Sequence, residues 1–215
     1  LVGRAPVNSV SEAQTFVNKV LVYEKTPDLT YQDNAMFSAD VLWSNPYTDM
    51  GVHKNKIESQ SFPGYYNITK LYHSQGNLSP TAFKNALRQG QGLTNHDGHG
   101  WINSMGAGTG YLHNADFDTL TNAPKFGVLA SIGCWTTAYD YNCIAESYIN
   151  SPNGGGVVFF GNSSYGWGSP GNPGFGYSDR FDSRLFYCLL QEDQYHAGDM
   201  LASCKVHFIP YSREK

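Results

Sequence analysis

No apolar run in these 215 residues approaches the ~20 residues needed to cross a bilayer, so the sequence offers no helical membrane span. Charge is also sparse. Charged residues make up 15% of the chain, with 14 Lys and Arg against 18 Asp and Glu and a formal net charge of −4. The cationic residues are scattered and form no basic stripe, which argues against nucleic acid or an anionic membrane surface as partner. The four cysteines (Cys134, Cys143, Cys188 and Cys204) contain no Cys-x-x-Cys spacing, which disfavours a zinc finger or ribbon. The opening Leu1-Val-Gly-Arg-Ala-Pro6 is not a signal peptide. It reads as the interior of a longer protein, so the missing leader says little about export.

What the chain does have is 40% apolar residues and an abundance of Gly (23), Tyr (15) and Phe (12), enough for one good core. Low Lys content and many Tyr, Asn, Ser and Gly lean towards an extracellular protein. Asn67-Ile-Thr69, Asn77-Leu-Ser79 and Asn162-Ser-Ser164 are glycosylation sequons, meaningful only in a eukaryotic secretory host. Cysteine arithmetic does not fix the redox compartment. If Cys134 is a free nucleophile, three remain, and one of those is unpaired too.

Ser9-Val-Ser-Glu12 opens like a capping box, and the apolar spacing predicts a helix to about Lys25, stopped by Pro27. Ala35–Val41 reads as a strand ending near Asp40, followed by a polar loop from about Trp43 to Tyr66. Ile68–Tyr72 reads as a short edge strand. Ser79-Pro80 starts a second helix, which Gly90 closes. Gly92–Trp101 reads as a buried strand ending in the Gly-flanked His99, then a Gly- and Asn-rich loop and a helical turn near Asp116–Leu120. Phe126–Trp135 is an apolar strand ending in Cys134. Asn142–Ile149 has helical spacing, Gly154–Gly161 is another buried strand, and Ser163–Tyr177 has no regular period. Helices from about Asp179 to Leu190 and from His196 to about Lys205 complete the chain. Apolar strands alternating with helices predict a mainly parallel sheet covered on both faces. In such sheets sites lie at the carboxyl ends of strands, where Asp40, His99 and Cys134 all fall.

Taken singly, Cys134 reads equally as a core cysteine, and His99 as a polar loop histidine with His53, His96 and His113 as competitors. The pair, in matching strand contexts, points to nucleophilic catalysis. In this context Asn95-His-Asp-Gly-His-Gly100, Cys134, Cys143-Ile-Ala-Glu146, the Gly155–Gly161 strand and Trp167-Gly-Ser-Pro170 resemble the gingipain-type cysteine peptidases. Val2–Val7 and Ala197–Lys205 are similar to segments flanking that family's catalytic half, so the resemblance covers nearly the whole chain.

The resemblance implies a caspase-like three-layer α/β/α sandwich with a mainly parallel sheet. Residues 1–215 would be one catalytic subdomain of a longer secreted or cell-surface protein, without its N-terminal subdomain. It implies endopeptidase action on protein or peptide substrates through a Cys134–His99 dyad, with Asp40 orienting the histidine and Gly100 and Cys134 N–H groups forming the oxyanion hole. Trp167 and Trp135 are candidates for substrate contact. In arginine-specific members an aspartate sets the preference for a basic residue. His53 or Lys54 falls near that place, with Asp49 several residues earlier, and a lysine there is expected to favour acidic or neutral side chains. No cofactor is implied as required. Structural calcium accompanies family members, although the chain has no Asp-x-Asp-x-Asp-Gly loop. Two other readings stay open: a non-catalytic binding or surface module, and a metal site built from His96, His99, His113 and Cys134.

Overall fold

The computed structural model describes residues 3–211; Leu1 and Val2 of the opening segment lie outside it. In chain order the elements are α1 (Val10–Lys25), β1 (Asn34–Ala39), β2 (Val41–Ser44), β3 (Tyr47–Asp49), α2 (Met50–Ser61) and β4 (Asn67–Tyr72). Next come α3 (Pro80–Gln89), β5 (Leu93–Asp97), β6 (Gly100–Trp101), β7 (Ser104–Ala107), β8 (Gly110–His113), α4 (Asn114–Asp118) and β9 (Gly127–Ser131). The last are α5 (Ile144–Asn150), β10 (Gly156–Phe160), α6 (Tyr177–Leu190) and α7 (Ala197–Phe208).

Five parallel strands form the central sheet in the order β10-β9-β5-β1-β4. Side chains alternate across it, so successive residues feed two separate cores. Met36, Leu129 and Phe159 face α3, α4 and α5 with Phe83, Phe117 and Ile144. Ala35, Ala130 and Phe160 face α2, α6 and α7 with Ile57, Leu185 and Met200. Helix, sheet and helix therefore stack in three layers, and both faces of the sheet are dry, as the continuous apolar strands require. The predicted caps are present: Ser9 Oγ accepts the Glu12 N–H at 3.2 Å, and Ser79 Oγ accepts the Ala82 N–H at 3.1 Å. Helix α1 is tied to the end of α5 by the buried Lys19, whose ammonium donates to the Ile149 and Ser151 carbonyls at 2.8 and 3.1 Å.

Two expectations need correcting. The stretch Trp43–Tyr66 is not a long loop, because it holds the β2–β3 hairpin and the three-turn helix α2, whose Asp49 cap accepts the Gly51 N–H at 2.8 Å. The helix escapes a hydrophobic reading because its buried face is half polar: Met50, His53, Lys54, Ile57 and Ser61 recur at helical spacing and all face inward. The segment after His99 is likewise not an irregular loop. It forms an antiparallel ribbon, β6-β7-β8, whose strands are too short and too rich in glycine to show alternation.

Candidate active site

Strands β9, β5 and β1 are neighbours in the sheet, and Cys134, His99 and Asp40 follow their carboxyl ends. The chain crosses from β4 back over β1 to β5, so these ends form the crevice where connections leave in opposite directions. The β5 and β9 extensions touch through backbone. A Cβ on Gly133 would sit 3.2 Å from the Gly100 Cα, and one on Gly100 would sit 2.7 Å from the Cys134 carbonyl oxygen and 2.9 Å from its nitrogen. Glycine at 100 is thus dictated by the contact between the two strand ends.

His99 is exposed, and its Nε2 lies 3.0 Å from the Leu42 carbonyl oxygen. A carbonyl only accepts, so Nε2 carries the proton and Nδ1 is the basic nitrogen. The Trp43 ring packs edge-on against the imidazole, with centroids 6.2 Å apart. Cys134 is partly exposed, whereas Cys143, Cys188 and Cys204 are buried free thiols. The Gly166 N–H donates to Cys134 Sγ at 3.3 Å. Trp135, next in sequence, holds φ of 60°, a strained setting for a bulky residue, and its N–H donates to the Ser164 carbonyl at 2.8 Å. Gly106 N–H donates to the His99 carbonyl at 2.7 Å, making His99–Gly106 a hydrogen-bonded pair of the ribbon. Gly100, paired with Met105, then takes the non-hydrogen-bonded position, and its N–H points out of the ribbon.

Asp40 stands at the end of β1 as expected, but the hydrogen bond to the His99 ring comes from Leu42. The Asp40 carboxylate instead accepts the Gly108 N–H at 2.7 Å and lies 3.9 Å from His73 Nδ1. Burial pushes the Asp40 carboxyl up to about 6, against the opposing pull of the Gly108 N–H and of His73 and His99. The folded value exceeds the unfolded 3.8, so the native state holds the extra proton between them. Relative to an Asp40→Asn variant, the wild-type protein is expected to gain stability as pH falls from about 7 to about 4. Urea unfolding of both proteins across that range checks the sign, and parallel pH profiles would contradict it.

His96 is a core histidine. Its Nε2 donates to the Gly106 carbonyl at 2.9 Å, its Nδ1 accepts from Ser131 Oγ at 2.9 Å, and burial pushes its pKa down to about 4. Ser131 Oγ in turn accepts the Gly133 N–H at 3.2 Å, which pins the residue before the nucleophile candidate.

Lys54 corrects the expectation of a pocket-lining cation. It is fully buried on α2, donating to Asn95 Oδ1 at 2.7 Å and Asp182 Oδ2 at 2.8 Å, with Asp97 Oδ2 at 3.6 Å. His53 is also buried, its Nδ1 2.9 Å from Asp97 Oδ2 and its Nε2 3.0 Å from Ser183 Oγ. Burial acts to raise the Asp97 carboxyl, but the Lys54 ammonium and His53 hold it below its usual range. Lys54 and His53 therefore brace the β5 strand from beneath and do not face a substrate.

The histidine–cysteine metal set does not assemble. His96 has both ring nitrogens committed, His113 is exposed on β8, and the metal-compatible group among the described residues is His53, Asp97 and Asp182. That group does not suit calcium, which needs six to eight oxygen ligands, because the Lys54 ammonium already sits against both carboxylates. Sequence reasoning missed Leu42, Trp43 and Gly166. Two of them act through backbone atoms, which carry no side-chain signal, and Trp43 was hidden in the supposed loop.

Two solved structures share the fold. The chain aligns over 100% of its length with the Arg-specific cysteine proteinase gingipain R (RgpB), at TM-score 0.79 and 16% identity. It aligns over 95% with the complex of Porphyromonas gingivalis RgpB pro- and mature domains, at TM-score 0.71 and 19% identity. It spans about half of those chains, 53% and 49% respectively. A third structure, described only as a protease, matches 75% of the chain and 36% of its own length at TM-score 0.60 and 20% identity. No curated protein matches the chain. The gingipain match carries the expected caspase-like α/β/α arrangement, and the profile of peptidase family C25 fits residues 1–214. With that fit over essentially its whole length, the chain belongs to peptidase family C25.

Proposed function

We propose that the chain is the catalytic part of a cysteine endopeptidase in which Cys134 is the nucleophile and His99 the proton carrier. The observation that carries the reading is the meeting of the β9 and β5 ends. Their backbones are in contact at Gly100, Gly133 and Cys134, and the two touching segments carry one partly exposed thiol and one exposed imidazole, which supports the reading.

In this reading His99 Nδ1 takes the thiol proton, and the Gly166 N–H supports the resulting thiolate. The sulfur attacks the scissile carbonyl, and the N–H groups of Gly100 and Cys134 receive the oxyanion. His99 returns the proton to the departing amine, leaving a thioester on Cys134. Water, deprotonated by His99, then releases the acid and restores the thiol. The Leu42 carbonyl keeps the imidazole in the required tautomer. Asp40 acts at one remove, by fixing Gly108 in the ribbon that leads from His99 and by its charge near the ring. Substrates are proteins or peptides, and the working enzyme is a larger extracellular or cell-surface protein. Among the described residues no helix is long and apolar enough to cross a membrane.

Peptide hydrolysis by the purified protein, followed during titration with iodoacetamide, tests this reading. One equivalent of alkylation at Cys134 is expected to end activity, because the other three thiols are buried. Full activity after Cys134 is alkylated would refute it.

A further inference from the structure

The residue before Cys134 is a glycine, the residue type whose backbone rotates most freely. Gly133 is nonetheless held at both of its polar atoms. Its N–H donates to Ser131 Oγ at 3.2 Å, and Ser131 is backed by the buried His96 ring. Its carbonyl oxygen accepts from two side chains, Asn162 Nδ2 at 3.3 Å and Thr136 Oγ1 at 3.3 Å. Thr136 is fully buried and lies two residues after the thiol. Asn162 comes two residues after the neighbouring strand β10, and its Nδ2 also donates to the Ile132 carbonyl at 2.8 Å. An atom facing two carbonyl oxygens must be the amide nitrogen, which fixes the orientation of this side chain.

The peptide unit from Gly133 to Cys134 is planar and trans, so its C=O and N–H point in opposite directions. Whatever fixes the Gly133 oxygen therefore aims the Cys134 N–H. That N–H meets no acceptor among the described residues, and the Gly100 backbone lies beside it, since a Cβ on Gly100 would sit 2.9 Å from the Cys134 nitrogen. Two donors on the carbonyl also polarise the unit and make its N–H a stronger donor. The surroundings are held by other bonds. The Trp135 N–H goes to the Ser164 carbonyl, the Thr137 N–H goes to the Asn162 carbonyl, and the thiol has its own contact in the Gly166 N–H.

Resting on the peptidase reading, we infer that Asn162 and Thr136 are positioning residues of the reaction. Together they hold the Gly133 carbonyl and so keep the Cys134 N–H directed at the developing oxyanion. Asn162 also opens the triplet Asn162-Ser-Ser164, and a glycan on Nδ2 would replace one of the hydrogens in use. This sequon therefore reads as part of the site.

The test uses a reaction of the same sulfur that needs no oxyanion. Iodoacetamide alkylates a thiolate by displacing iodide, whereas acylation by a peptide builds negative charge on the carbonyl oxygen. In Asn162→Ala and in Thr136→Val, kcat/KM on a peptide anilide is expected to fall at least ~10-fold, while the rate constant for alkylation of Cys134 stays within ~3-fold of wild type. The double variant is expected to lose at least ~100-fold in hydrolysis, the range of a missing oxyanion donor. Asn162 also abuts Gly166, where a Cβ would sit 2.8 Å from Nδ2, so Thr136→Val, which removes a hydroxyl and keeps the branching, is the cleaner change. Thermal midpoints show that each variant is folded, and if Asn162→Ala is not, Thr136→Val decides alone. Unchanged hydrolysis overturns the inference. So does a parallel fall of hydrolysis and alkylation, which would mean that these side chains place the sulfur. A wild-type protein that is alkylated at Cys134 yet hydrolyses no peptide refutes the peptidase reading itself and takes the inference with it.

Discussion

Replacing Cys134 by alanine is expected to lower kcat/KM on a peptide substrate on the order of 10^4-fold or more, with little change in thermal stability. The sulfur is the only atom removed. It is partly exposed, its neighbours are the Gly166 backbone atoms, and no core cluster includes it. His99→Ala is expected to cost a comparable factor, since a thiol without a proton acceptor and an amine without a proton donor both stall. The imidazole is exposed, so its loss also leaves the fold intact. The two changes together should cost no more than the worse of them, because each disables the same step. Steady-state kinetics on the three variants decide this. Additive losses would mean that the residues do not act as one unit.

The second large effect is on stability and lies beneath the site. Lys54→Met is expected to destabilise the protein by about 3–5 kcal/mol, because Asp182 and Asp97 would stay buried without their cation. Methionine has nearly the volume of lysine, so the loss isolates the charge and leaves no cavity to account for. Adding Asp182→Asn should recover part of it, since an amide tolerates the dry site better than an unpaired carboxylate and still meets Asn95, now 3.1 Å from the Asp182 oxygen. Equilibrium urea unfolding measures both, and a loss below about 1 kcal/mol would show the network to be structurally idle. Asp97 lies two residues before His99, so loosening this network should also lower activity in the folded fraction.

That network marks the limit of what the sequence makes legible. The strands ending at Asp40, His99 and Cys134 are readable because their apolar runs are continuous and their ends carry polar or glycine signals. Helices α1 and α3 are readable from the Ser9 and Ser79 caps, which hold in the structure. Helix α2 is not, because His53, Lys54 and Ser61 stand where apolar residues would reveal its inward face. Lys54 illustrates the cost. Placed in a loop it looks like a pocket cation, whereas on α2 it is a buried counter-ion. The orientation of His99 by the Leu42 carbonyl is invisible for a different reason, since any residue at position 42 offers the same oxygen. Asp40 drew attention because side chains are what a sequence displays.

The central claim is a covalent one, and the acyl-enzyme can be weighed. A peptide p-nitrophenyl ester acylates quickly and should make thioester hydrolysis the slow step. Mixed with the protein and quenched in acid, it is expected to release a burst of one equivalent of p-nitrophenol. The protein should gain one acyl group, located by fragmentation on the peptide containing Cys134, and His99→Ala should lose the burst. Turnover of the ester with no burst and no adduct, or an adduct on any residue other than Cys134, would contradict the account.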